Sequence, residues 1–240
     1  MNWLYGVCMA WGMFLAIPCP VHCWRETART QMLACLPLVG AVIGGLWLLL
    51  AWAAEALDHA LGSLLLAALP WLASGFLHLD GFLDVCDATL SRRELSRRKE
   101  ILKDSHCGAF GVIAMVLLAL TQWSLFLDME QCNGLLLLWL PVVSRGCAAV
   151  SVMTLRPMEG SQYAALPRSR LWLLPAGLTL AAAVVPLLLW RSPAPLGAAA
   201  AYALAVWWGT RQLDGMSGDV SGFALTLSEL AGIAMLGVTI

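Results

Sequence analysis

Charge is what this sequence has least of. Of its 240 residues, 12% are Asp, Glu, Lys or Arg and 60% are hydrophobic, whereas soluble domains carry about 25% charged residues. The stretches 1–21, 34–54, 108–127 and 171–190 contain no Asp, Glu, Lys, Arg or His. Each approaches the ~20 residues that a helix needs to cross a hydrocarbon layer about 30 Å thick. Backbone amides in lipid must be satisfied within their own segment, which excludes irregular loops and leaves helices. The eight cysteines include no CxxC pair, so no disulfide framework is indicated. Most of them suit small apolar packing positions, and the Cys19/Cys23 CxxxC is a weak metal pattern. No basic residue precedes the first apolar run, so a cleaved signal peptide is not expected. A net charge of −1 says little about partners, because what matters is where the charge sits; no nucleic-acid partner is expected.

What is present is a succession of apolar segments at about 1–21, 34–54, 60–79, 108–127, 134–155, 171–190, 194–210 and 222–240. The seventh is short and holds Pro195, so it is expected to be tilted, broken or half-buried. The expectation is an all-α, polytopic membrane bundle with seven or eight crossings, forming one domain over residues 1–240. Lys and Arg mark cytoplasmic connections. Twelve of the fourteen basic residues follow odd-numbered segments: Arg25 and Arg29, six between 92 and 103, Arg156, Arg168 and Arg170, and Arg211. The loop at 80–107 therefore faces the cytoplasm, and the chain is expected in a cell membrane. Small-residue runs such as "LGAAAAYALA" suit close helix packing, with which self-association is also compatible.

Charge concentrates in that loop. Six of the fifteen carboxylates lie between Asp80 and Asp104. Asp80, Asp84 and Asp87 stand at i, i+4 and i+7, one face of a helix, with neighbours roughly 5–6 Å apart. Phe82, Leu83, Val85 and Cys86 fill the other face. Anions so placed repel one another unless a cation sits among them, and oxygen-only ligands suit Mg²⁺ or Mn²⁺. A solvated charged face is the bland alternative. His78 lies two residues upstream, where a structural hydrogen-bonding role competes with a functional one. "SRRELSRRKEILKD" predicts a basic amphipathic helix that meets either anionic lipid or an anionic substrate. In "KDSHCGAFG", Lys103 can offset phosphate charge, Asp104 can add a metal ligand, and the glycines admit a close backbone approach.

Arg145 lies about ten residues from either end of its apolar segment, roughly 15 Å of helix, and needs a partner anion or a polar cavity. Glu229, inside the last segment, is a candidate for that partner. "LDGMSGDVSG" places Asp214 and Asp219 in the last connection, either as an ordinary turn or as substrate contacts.

These residues carry a resemblance. "HLDGFLDVCDA" followed by "LKDSHCGAFGV" resembles the cobalamin synthase family, the adenosylcobinamide-GDP ribazoletransferases, whose pattern is approximately HLDG-x-x-D-x-x-D, then KDS-x-x-G-x-FG. The likeness extends to "MFLAIPCPVHCW", "LPLVGAVIGG", "SRG" at 144–146, "RPMEG" at 156–160 and "SGDVSG". The chain departs from the family at Ala16 and His106, where Arg is usual, and at Ala88, where Gly is common.

The resemblance implies a Mg²⁺-dependent membrane enzyme joining adenosylcobinamide-GDP to α-ribazole or its 5′-phosphate and releasing GMP. Asp80, Asp84, Asp87 and Asp104 would hold metal, with Asp84, Asp87 and Lys103 in catalysis. His78, Lys103, Ser105, His106, Arg145, Asp214 and Asp219 are the expected substrate contacts. A CDP-alcohol phosphatidyltransferase would show DG-x-x-AR, and no Ala-Arg follows Asp80-Gly81 at that place. A transporter would place its charges near mid-membrane in paired repeats, whereas most here gather at one face.

Overall fold

A computed structural model describes residues 2–104, 106–129, 133–167 and 169–238. Ser105, an expected substrate contact, and Arg168 lie outside the described residues. The described residues form eleven α-helices: α1 (Asn2–Phe14), α2 (Arg29–Ala34), α3 (Leu36–Ala54), α4 (His59–Ala73), α5 (Leu77–Leu90), α6 (Leu95–Ile101), α7 (Ala109–Leu127), α8 (Leu135–Thr154), α9 (Leu173–Trp190), α10 (Ala194–Leu213) and α11 (Gly218–Ala234). The all-α expectation holds.

Four helical stretches are long and apolar enough to cross a membrane: α3, α7, α8 and α9 with its leading turn. A fifth is reached if α4 and α5, bent by 91° at their junction, are taken as one span. The boundaries differ from expectation where backbone chemistry intervenes. α1 stops at Phe14, ahead of Pro18 and Pro20, which disfavour helix at their own and preceding positions. The segment at 60–79 divides where Gly75 and Phe76 take φ of 60° and 62°. α10, by contrast, runs unbroken for 20 residues because Pro195 sits in its first turn, where a missing N–H costs nothing.

α8 is the central helix, packed on α3, α9, α10 and α11. Gly40 and Gly44 let α3 lie directly on it: a β-carbon on Gly44 would stand 2.8 Å from Leu138 Cα. Such contact is the usual source of helix association where lipid removes a hydrophobic drive. Arg145 of α8 is 1% exposed and pairs with Glu229 of α11, which is 2% exposed. The expected partnership is therefore formed. Ser144 Oγ also donates to Glu229 Oε1 at 2.8 Å.

Removing one member of a buried pair strands the other charge, at about 3–5 kcal/mol. Glu229→Ala should therefore sharply lower the unfolding temperature in detergent. Combining Arg145→Met with Glu229→Leu should restore most of it.

Candidate active site

The 91° turn between α4 and α5 sets the direction of the acidic helix. Phe76, a non-glycine residue in the left-handed region, carries strain that surrounding contacts must hold. Ala16 N donates to Ala73 O at 2.8 Å, fastening the exit of α1 to the bend. Phe14 stacks on His78, with ring centroids 6.2 Å apart and planes 13° from parallel.

Past the bend, α5 presents Asp80 exposed and Asp84 and Asp87 half-buried, while Leu79, Phe82, Val85 and Cys86 are buried. The helical face predicted from the i, i+4, i+7 spacing is thus formed. The opposite wall is the start of α11. Gly81 has no side chain to hold it away: a β-carbon there would stand 2.9 Å from Asp219 Cα. Asp219, expected either in an ordinary turn or as a substrate contact, thereby joins the three aspartates. On the remaining side, Gly111 N donates to Asp87 Oδ1 at 3.3 Å, and the Asp87 carboxylate rests directly against Gly108.

Electrostatics records the crowding. Burial, and then the charges of Asp80, Asp219 and Asp87, push the Asp84 carboxyl up to about 7. Burial raises Asp219 as well, with a hydroxyl hydrogen bond from Ser217 opposing it and Asp80 adding to it. Among the described residues no Lys, Arg or His forms an ion pair with Asp80, Asp84, Asp87 or Asp219.

Behind Asp80 and Asp219 lies a cavity of about 110 Å³, lined also by His78, Arg145, Tyr163 and Ser221. Arg145 gives Nη1 to Glu229 and Ser144. Its buried Nε and Nη2 find no partner, nor does His78 Nδ1. An unpartnered guanidinium edge in a polar cavity is a ready contact for an oxyanion. Sequence pattern gave no sign of Tyr163, whereas Ser221 lies in the SGDVSG stretch of the resemblance. The glycines around Asp219 were the available signal for its close approach.

Other expected contacts lie elsewhere. Asp104 is not brought to the aspartates. It is fully exposed, and its Oδ1 accepts from His106 Nδ1 at 2.7 Å and from His106 N at 3.0 Å. The His106 ring, then its amide, hold the Asp104 carboxyl below the usual range. Asp214 is occupied by Arg156 at 2.8 Å and Lys99 at 3.4 Å, tying the loop after α8 and helix α6 to the end of α10. Lys103 is exposed, with its amine beside Gly160. Cys19 and Cys23 share an open recess with Cys8.

Among the described residues, no three His, Cys, Asp or Glu side chains already stand where they could jointly hold a metal ion. The carboxylates of α5 and α11 are oxygen donors of the kind hard divalent cations take, and no protein cation pairs with them among the described residues.

The arrangement is a helical membrane bundle with carboxylates lacking a basic partner among the described residues and a buried arginine only partly satisfied, the kind of charge placement that functional sites concentrate. No solved structure matches it. Residues 6–237 match the cobalamin-5-phosphate synthase family, and the chain belongs to that family. It is 33% identical to the adenosylcobinamide-GDP ribazoletransferase of Clostridium botulinum (strain Alaska E43), over 97% of this chain and 96% of the relative. It is 31% identical to the same-named protein of Clostridium perfringens (strain 13), over 96% of each. A further relative of that name, from Novosphingobium aromaticivorans, is 34% identical over 89% of this chain and 87% of its own.

The raised Asp84 pKa has a sign. Folding disfavours the ionised form, so stability contributed near the unfolded carboxylate range is lost as pH rises toward 7. In EDTA, Asp84→Asn should unfold at a higher temperature than the parent at pH 8, and the difference should shrink at pH 5.5.

Proposed function

We propose that this chain joins adenosylcobinamide-GDP to α-ribazole, or to its 5′-phosphate, forming adenosylcobalamin or its 5′-phosphate and releasing GMP. The observation that carries this reading is that the family's HLDG motif folds into the unneutralised cluster of Asp80, Asp84 and Asp87, with Asp219 added. A ribazole hydroxyl attacks the phosphorus nearest cobinamide, and the bond from that phosphorus to the oxygen of the leaving GMP breaks. Charge then spreads over the phosphoryl oxygens, so positioning and electrostatics carry most of the catalysis.

Asp80, Asp84, Asp87 and Asp219 would hold Mg²⁺ or Mn²⁺, which when bound offsets charge on both attacking and leaving oxygens. The hydroxyl proton passes to a carboxylate of the cluster, for which Asp87 is the candidate. The free edge of Arg145 meets a phosphoryl or sugar oxygen inside the cavity. Lys103 approaches the diphosphate from outside.

The whole chain is read as one catalytic domain in the inner membrane with this site at the cytoplasmic face, a reading supported by the clustering of basic residues. Seven or eight crossings are proposed in place of four or five, because α10 and α11 pack along α8. α1, at 13 residues, would need the extended residues after it to complete a crossing.

Purified protein in nanodiscs should release GMP only when both substrates and a divalent cation are present. Asp80→Asn and Asp219→Asn should each lower that rate by about 10²-fold or more while leaving insertion intact. Near-normal turnover in both, or substrate uptake into sealed liposomes without product, would refute the reading.

A further inference from the structure

Beside the carboxylate cavity is a second hollow. It is a recess of about 550 Å³ between α8, the loop after it and the turn leading into α9, lined by Met153, Leu155, Pro157, Tyr163, Leu166 and Trp172. Tyr163 and Leu33 line both spaces, so Tyr163 is the partition between the aromatic recess and the carboxylates. Its hydroxyl stands 3.7 Å from where a β-carbon on Gly218 would be, one residue from Asp219.

The partition is fixed to the acidic wall by backbone. Met158 N donates to Met216 O at 2.9 Å and Met216 N to Arg156 O at 2.9 Å. Arg29 Nη2 donates to Gln162 O at 2.9 Å. A recess so held is formed before anything enters it, which lowers the ordering cost of binding.

Resting on the transfer reaction proposed above, two flat aromatic groups compete for this space: the guanine of the donor and the benzimidazole of α-ribazole. Guanine presents several donors and acceptors along its edge, and burying them without partners is costly. The recess has no carboxylate, amide or basic side chain among its described lining. Of its hydroxyls, Thr154 Oγ1 donates to Val150 O at 2.7 Å and Ser169 Oγ accepts from Leu171 N at 3.2 Å, which leaves few side-chain groups to meet a guanine edge. A benzimidazole with a mostly hydrocarbon perimeter needs few such partners and gains from aromatic contact.

We propose that this recess is the acceptor-base pocket: the benzimidazole lies against Trp172 and Tyr163, and its ribose passes Tyr163 toward Asp80 and Asp219. Trp172 and Tyr163 are then specificity-determining residues for the acceptor, apart from the carboxylates that act on the phosphorus.

Steady-state kinetics with each substrate varied in turn tests this. Trp172→Ala, which removes an aromatic wall, should raise KM for α-ribazole roughly tenfold or more, with KM for adenosylcobinamide-GDP within about twofold of the parent. Ala164→Trp, which fills the recess from an exposed lining position, should do the same and serves if Trp172→Ala fails to fold. A rise confined to the adenosylcobinamide-GDP KM would place guanine there and overturn the proposal. Unchanged KM values in an active Ala164→Trp protein would overturn it too. A parent protein that turns over neither substrate would instead overturn the transfer reaction on which it rests.

Discussion

The repulsion among Asp80, Asp84, Asp87 and Asp219 is the constraint around which this end of the molecule is arranged. Burial first, and then the neighbouring like charges, raise the Asp84 pKa, so the four cannot all ionise without cost. The start of α11 lies hard against Gly81, and the bend that aims α5 is made through a strained Phe76. Local rules are broken where function is done.

The other charged groups show the contrast. Inside the bundle, Arg145 and Glu229 neutralise each other. At the surface Asp214 takes two cations, Lys99 and Arg156, and Asp104 takes His106. Acidic groups with structural work have protein partners. The four of α5 and α11 have no Lys, Arg or His partner among the described residues. Arg145 anchors α8 to α11 through Nη1, while its Nε and Nη2 stay buried without a hydrogen-bond partner.

Much of this was legible in the residue order. Helical class followed from uncharged stretches, and the acidic face from spacing alone, because α5 is a regular helix and its periodicity survives folding. The Arg145–Glu229 pair was legible because a charge deep in an apolar segment must be answered. Helix ends were less so: the bend at Gly75–Phe76 arises from left-handed backbone that no hydropathy pattern reports, and α1 yielded to its following prolines. The turn of Asp104 toward His106 was not legible, because sequence proximity to the KDS motif says nothing of which neighbour a carboxylate takes. Asp219 and Tyr163 reach the site across long sequence separations, through contacts that only the packing of α11 and the loop after α8 creates.

The most direct test of the central electrostatic claim is manganese EPR on the purified protein with the guanylated corrinoid present. Bound Mn²⁺ should appear for the parent and be lost in Asp84→Asn and Asp219→Asn alike, since both aspartates belong to one cluster. Retention of the parent signal in both variants, or no bound ion in the parent itself, would contradict it.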